Sequence, residues 1–193
     1  MNRKKEVVEN WTVYGLEESI RGAKFPMSVD TDSLNCELTS GIANLAKSEH
    51  GAGHDQWLTG VIVQFDLTFS IKAWTEAQRY HFFDFVSSQS TMHRAAKMDF
   101  THTFNDYVTA RTLIECNRLK AAYQENPSVE NYLKLLYNLP TGMELTARMT
   151  TNYRQLKTIY RQRKDHRLPE WRKFCRWIEE LPHSELITGS DAL

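Results

Sequence analysis

The chain has 193 residues, of which 41% are hydrophobic and 25% charged. That suits one domain with a sizeable core and excludes a disordered or collagen-like chain. Lys+Arg and Asp+Glu are equal at 24 each, so net charge argues for no particular partner. No apolar run approaches a membrane span, and the charged start MNRKKEVVENW does not read as a secretory signal. Cys36, Cys116 and Cys175 are scattered and odd in number. They suggest a reducing cytoplasm and offer neither a disulfide frame nor a zinc pattern.

In chain order, Glu6 to Tyr14 reads as a strand with weak alternation. Loop signals follow at Gly22 to Asp32. Thr39 to Ser48 is helical and rich in small residues, with Gly51 placed to end it. The segment EHGAGHD (Glu49 to Asp55) is a loop whose glycines lack Walker or dinucleotide-fingerprint spacing. From Val61 to Ile71, apolar Val61, Val63, Phe65, Leu67, Phe69 and Ile71 alternate with Ile62, Gln64, Asp66, Thr68 and Ser70. A period of two over that length marks a half-buried strand, and a sheet with one polar face is usually antiparallel. Trp74 to Val86 reads as a helix with Trp74, Ala77, Gln78, His81 and Phe85 on one stripe. Asp99 to Gln124 reads as one long helix. Ser128 caps a short helix that ends before Pro140, with a loop over Leu139 to Gly142. Thr151 to Lys164 and Glu170 to Leu181 are the last two helices, and residues 184–193 are expected as a flexible tail behind a single domain over 1–183. The fold class is mixed α/β (α+β): an antiparallel sheet packed with several helices.

Two segments carry candidate chemistry. Between Arg154 and Arg176 stand nine Lys/Arg against two acids, Asp165 and Glu170. Such a run is either a solvated basic face or a nucleic-acid footprint. Asn152, Leu156, Ile159 and Arg163 return to nearly the same helix angle. Arg163 therefore shares the apolar stripe and must be paired with an acid or face an anionic or planar ligand. The second segment, QRYHFFDFVSSQSTMHR (Gln78 to Arg94), ends in a succession of hydroxyl and amide groups. These favour a helix end or loop, and read either as a plain polar turn or as donors for a polar heterocycle or phosphate. No nucleophile with its base is visible, and His81, His93 and His102 have no metal-ligand spacing.

Taken together, the segments resemble the flavin-dependent thymidylate synthase (ThyX) family. That family has a His-containing Gly loop before a long strand, a helix with a Gln, and the signature Arg-His-Arg-x-x-Ser-x-Asn-x-x-Ser-x-Arg-Tyr. Here the loop is Ser48-Glu49-His50-Gly51, the strand is Val61 to Ile71 and the Gln is Gln78. The later segment LPTGMELTARMTTNYRQLKTIYRQRKDHRLPEWR supplies Leu139, Pro140, Asn152, Arg154, Leu156, Arg163, Glu170 and Arg172 at family spacing. The signature itself is altered. His81, Phe82 and Phe83 stand where the family has Arg-His-Arg, Val86 at the first Ser, Ser88 at the Asn, Thr91 at the second Ser, His93 at the last Arg and Arg94 at the Tyr. Leu136 occupies a further position where members often carry a substrate arginine. Arg79, Arg94 and Arg148 are the candidates to replace the missing charges.

The resemblance implies a homotetramer with FAD at shared sites, acting on a pyrimidine nucleotide. The family's reaction takes a methylene group from methylenetetrahydrofolate, reduces it with flavin hydride and converts dUMP to dTMP, with NADPH as reductant. It needs no protein nucleophile, because the cofactor carries the chemistry. By carry-over, Arg163 lies against the pyrimidine as the catalytic residue. Gln78, Gln89, Thr91, His93, Arg94 and Arg163 line the substrate side, and His50, His81, Ser88, Asn152 and Arg154 face the flavin. No metal is implied. Two other readings stand beside this one. In one the protein keeps the fold as a nucleotide-binding or regulatory module without catalysis. In the other, which the neutral overall charge disfavours, it binds nucleic acid through its basic C-terminal helix.

Overall fold

A computed structural model describes residues 6–49 and 52–189 of the chain. His50 and Gly51 lie outside the described residues, as do 190–193. Four strands form one antiparallel sheet in the order β1 (Val8–Tyr14), β2 (Ile62–Ser70), β4 (Glu144–Asn152), β3 (Asp84–Ser88). The expected α/β class and the long antiparallel strand are therefore present. β2 and β4 run in unbroken register from Ile62 opposite Asn152 to Ser70 opposite Glu144.

The two faces of the sheet differ as the alternation of β2 demands. Val63, Phe65, Leu67 and Phe69 are fully buried. They pack against α8 (Tyr153–Arg163) and α9 (Pro169–Glu179), with Phe65 4.7 Å from Trp177 and Phe69 4.8 Å from Trp171, ring centre to ring centre. The other face is polar. There Asp66 of β2 pairs with Arg148 of β4 at 3.2 Å, and the Thr68 and Thr146 hydroxyls meet at 2.8 Å. Burying the aromatic face drives the assembly of sheet and helices. A second, smaller core of Ala95, Phe100, Cys116, Leu119, Leu135 and Met143 lies under α6 (Ala110–Glu125) and α7 (Val129–Tyr137).

The remaining elements depart from the sequence reading in several places. The expected helix over Trp74–Val86 is α3 (Ile71–Ala77) followed by a turn and strand β3. Trp74 and Phe85 do touch, at 4.9 Å, but from a helix to a strand. The turn between them is held by Thr151 Oγ1, which donates to Phe82 O at 2.6 Å. The expected long helix over Asp99–Gln124 breaks between α5 (Phe100–Thr103) and α6. Asn105 Oδ1 accepts the Tyr107 N–H, and Thr109 caps α6 by accepting the Thr112 N–H, so side chains compete with the helix backbone across the gap. The helix expected from Thr151 begins at Tyr153, because Thr146 to Asn152 belong to β4. Within the expected tail, Glu185–Thr188 form α10, with Leu186 and Ile187 buried against the main core. Three further α-helices stand among the described residues, α1 (Leu16–Ala23), α2 (Ser40–Ala46) and α4 (Thr91–Arg94), the last leading toward α5. Thr39 caps α2, which ends at Ala46, short of Gly51. No helix among the described residues is long and apolar enough to cross a membrane.

Candidate functional site

The junction of β4 with α8 is the centre of the site. Asn152 ends the strand and caps the helix, its Oδ1 accepting the Gln155 N–H at 2.8 Å. This explains why an asparagine two residues before an arginine starts the segment. The cap turns Arg154 and Gln155 into a cleft of about 580 Å³ that is also lined by Thr59, Arg79, Tyr80, His81, Phe82, Thr158 and Gln162. His81, Asn152 and Arg154, which the resemblance assigns to the flavin, thus meet in one cleft although His81 and Asn152 are far apart in sequence. No Asp or Glu lines this cleft, while two arginines and a histidine do. The Gln155 Nε2 atom is buried and has no protein partner. Such a donor set suits an anion bearing further acceptors.

A second cleft of about 650 Å³ lies along α4 and is lined by Ser88, Gln89, Ser90, His93, Arg94, Lys97 and Met98. It too contains basic groups and hydroxyls without a carboxylate. Ser88 and Gln89 also line an adjoining groove of about 210 Å³, with Gln78, Trp74, Phe85 and Thr146. Gln89 bridges the two through β4. Its backbone N–H donates to Thr146 O at 3.0 Å and its side-chain oxygen accepts the Thr146 N–H at 2.9 Å, which leaves its amide N–H groups for a ligand. Thus Gln78, Gln89, His93 and Arg94 do gather on one side, but Ser88 stands with them and not with the flavin-side residues. Thr91 lines none of these three clefts, and its carbonyl accepts the Tyr132 O–H. His50 lies outside the described residues.

Arg163 is buried on the stripe it shares with Leu156 and Ile159, as its spacing required. Its environment, however, is an ion pair. Nη1 donates to Glu76 Oε2 at 2.9 Å and Nε to the Tyr80 hydroxyl at 2.6 Å, and the guanidinium stacks on the Trp171 and Tyr80 rings. Tyr80 in turn donates to Gln162 Oε1 at 2.9 Å. Arg163 therefore stands behind the wall of the first cleft, and it does not share a cleft with Gln78. Burial raises the Glu76 carboxyl pKa, but Lys72 at 3.0 Å, His166 and Arg163 more than reverse this and hold it below its ordinary value. Burial and then the Arg163 charge push the His166 imidazole below its ordinary value, against the pull of Glu76.

Arg154 is held the same way. Asp55, 1% exposed, accepts from Arg154 Nε at 3.0 Å and from Lys157 Nζ at 2.9 Å. Lys157 also donates to the Ala46 and Ser48 carbonyls. With Arg172 bound to the His166 and Arg167 carbonyls, four cations of the basic C-terminal run are committed within the protein. That weakens the nucleic-acid reading of the run. Sequence reasoning missed Asp55 and Glu76. Each lies far along the chain from the cation it holds, and nothing local marks it.

Comparison with known proteins places this fold. No family model matches the chain, and no curated protein matches its sequence. Solved structures do. The flavin-dependent thymidylate synthase ThyX from Helicobacter pylori, in a structure with FAD and dUMP, superposes with a TM-score of 0.72 over 96% of this chain and 98% of that one, at 14% identity. A second structure of that enzyme with FAD and dUMP gives 0.73 at the same identity and coverage. The UMP/dUMP methylase PolB from Streptomyces cacaoi, bound to 5-Br dUMP, gives 0.64 at 16% identity over 96% and 94% of the two chains. The chain has the ThyX fold.

Proposed function

We propose that this protein is a flavin-dependent enzyme of the ThyX type that modifies a pyrimidine nucleotide. The observation that carries the reading is the pair of carboxylate-free clefts set into a ThyX fold. The α8 cleft would hold part of FAD through Arg154, His81 and Asn152, with the unpartnered Gln155 Nε2 as a further donor. The α4 cleft would hold a nucleotide phosphate through His93, Arg94 and Lys97, and the adjoining groove would take the base against Trp74 and Phe85 with Gln78 and Gln89 at its edge. Bound flavin supplies the hydride, methylenetetrahydrofolate the carbon and NADPH the reducing equivalents. The chain's own residues bind, orient and polarise.

The two buried cysteines are poor nucleophiles. Burial pushes the Cys175 thiol up to about 12 and raises that of Cys116 as well, so neither yields a thiolate near neutral pH. The homotetramer belongs to this proposal. β3 is an exposed edge strand with Phe85 and Val86 exposed on it, Phe82 is exposed on the α8 cleft and Met92 on α4, surfaces that a neighbouring subunit would cover.

The commitment of Arg163 to Glu76 favours a second reading, in which the protein binds these ligands without turning them over. One experiment separates the two. Purified protein is saturated with FAD, then given dUMP, methylenetetrahydrofolate and NADPH, and the nucleotide is weighed by mass spectrometry. The expected result is visible flavin absorbance on the protein and a dUMP mass increased by one CH2, a methyl group in place of a hydrogen. Flavin and dUMP binding with unchanged nucleotide selects the binding module. A colourless protein that takes up neither ligand rejects both readings.

A further inference from the structure

The altered signature leaves the α8 cleft short of the arginines that a phosphorylated cofactor needs, and three others stood as substitutes in the sequence. The structure separates them. Arg148 is spent on Asp66 at 3.2 Å and on the Asn10 carbonyl at 2.6 Å. Arg94 lines the α4 cleft. Arg79 lines the α8 cleft, two residues before the signature begins, and its side chain has no hydrogen-bond or ion-pair partner among the described residues.

Three features of this cleft point to one class of ligand. Its lining carries Arg79, which has no acid opposite it among the described residues, and Arg154, which Asp55 pairs through Nε and whose terminal nitrogens are left for a ligand. Gln155 Nε2 is a buried donor with nothing to donate to. Phe82 sits at φ +57° and is 66% exposed, while its neighbour Phe83 turns into the core. A bulky residue in the left-handed region is strained and persists only when its surroundings impose it. Here the Thr151 hydroxyl does so, through the Phe82 carbonyl. The result is an aromatic face presented to the cleft beside Arg79 and the outer nitrogens of Arg154, which suits a planar ring joined to a multiply charged anion.

We propose that Arg79 and Phe82 bind a diphosphate linked to an aromatic ring, Arg79 holding the diphosphate with Arg154 and Phe82 stacking on the ring. Arg79 thereby replaces the signature arginines from a position outside the signature. The proposal deepens the flavin reading above and rests on it for the choice of FAD.

The test is calorimetric titration of the full chain with FAD, ADP, inorganic pyrophosphate and riboflavin. Arg79→Ala should weaken FAD, ADP and pyrophosphate by roughly 10- to 100-fold, the scale of one or two charge-assisted hydrogen bonds. Riboflavin binding should be unchanged. Arg79→Lys should recover part of the loss, and Arg161→Ala, on the exposed side of α8, should change nothing. Phe82→Asn, which tolerates the left-handed backbone, should weaken FAD and ADP but not pyrophosphate. Because both side chains are exposed to solvent, thermal unfolding should confirm that the variants fold. Equal FAD affinity in wild type and Arg79→Ala overturns the proposal while the flavin reading stands. ADP and pyrophosphate binding that depends on Arg79, with no FAD uptake, sustains the diphosphate site and overturns the flavin reading. Failure of the wild type to bind FAD, ADP and pyrophosphate overturns both.

Discussion

Arg163→Ala should destabilise the protein by about 3 kcal/mol, the lower end for breaking a buried ion pair, or roughly 6–12 °C in Tm for a domain of this size. The resemblance alone leads to the opposite expectation, a folded protein that has lost only its ligand. The geometry decides for stability. Arg163 is 6% exposed, its guanidinium bonded to Glu76 and Tyr80 and stacked on Trp171. Truncation leaves a cavity beside Trp171 and removes one of the cations that hold Glu76 ionised, with Lys72 remaining. Arg163→Lys keeps the charge but not the fork that reaches Glu76 and Tyr80 together, so it should recover less than half of the loss. Urea unfolding of the two variants and of Glu76→Gln checks this. A secondary effect follows through Tyr80, whose hydroxyl links Arg163 to Gln162 on the cleft wall, so under the proposed function FAD affinity should also fall. An Arg163→Ala protein as stable as wild type but unable to turn over nucleotide would place Arg163 with the substrate instead.

The fold was legible in the sequence where burial is one-sided and the buried residues are strongly apolar. β2 qualifies, with Val63, Phe65, Leu67 and Phe69 inward and Gln64, Asp66 and Thr68 outward. β4 follows the same period, but its inward residues are Ala147, Met149 and Thr151, too weakly apolar to stand out, and its end runs straight into α8. β3 is exposed along its whole length and so carries no burial pattern at all. The stripe from Trp74 to Phe85 records a real contact, but such a contact does not say whether a helix or a strand makes it. The site divides similarly. The spacing of Asn152 and Arg154 marks a capped helix start, and the stripe position of Arg163 states that it must be paired. Its partner Glu76 belongs to another element, and a sequence pattern gives a burial requirement without the address of the group that meets it.

Asp55 sets the second large effect. Asp55→Asn should lower stability at neutral pH by about 3–5 kcal/mol, or roughly 6–20 °C in Tm. The carboxylate is buried against Arg154 and Lys157, and Lys157 reaches on to the carbonyls of Ala46 and Ser48, tying the end of α2 to α8. An amide of the same shape keeps one acceptor but leaves two partly buried cations without a counter-charge. Burial alone would raise the Asp55 pKa. Lys157 and then Arg154 outweigh it and hold the value below that of an ordinary aspartate. A carboxyl depressed in the folded state contributes its full stability above the unfolded value, near 4, and loses it as pH falls through the folded value. The gap between wild type and Asp55→Asn should therefore be widest near neutral pH and shrink below about pH 4. Lys157→Met provides the companion measurement if Asp55→Asn does not fold. It keeps the Asp55–Arg154 pair and should cost less than Asp55→Asn. Asp55→Asn also leaves Arg154 without its counter-charge, so under the proposed function FAD affinity should drop even at temperatures where Asp55→Asn is folded. Unfolding free energies that differ by the same amount from pH 3 to pH 7 would show that the charge on Asp55 does not hold this corner together.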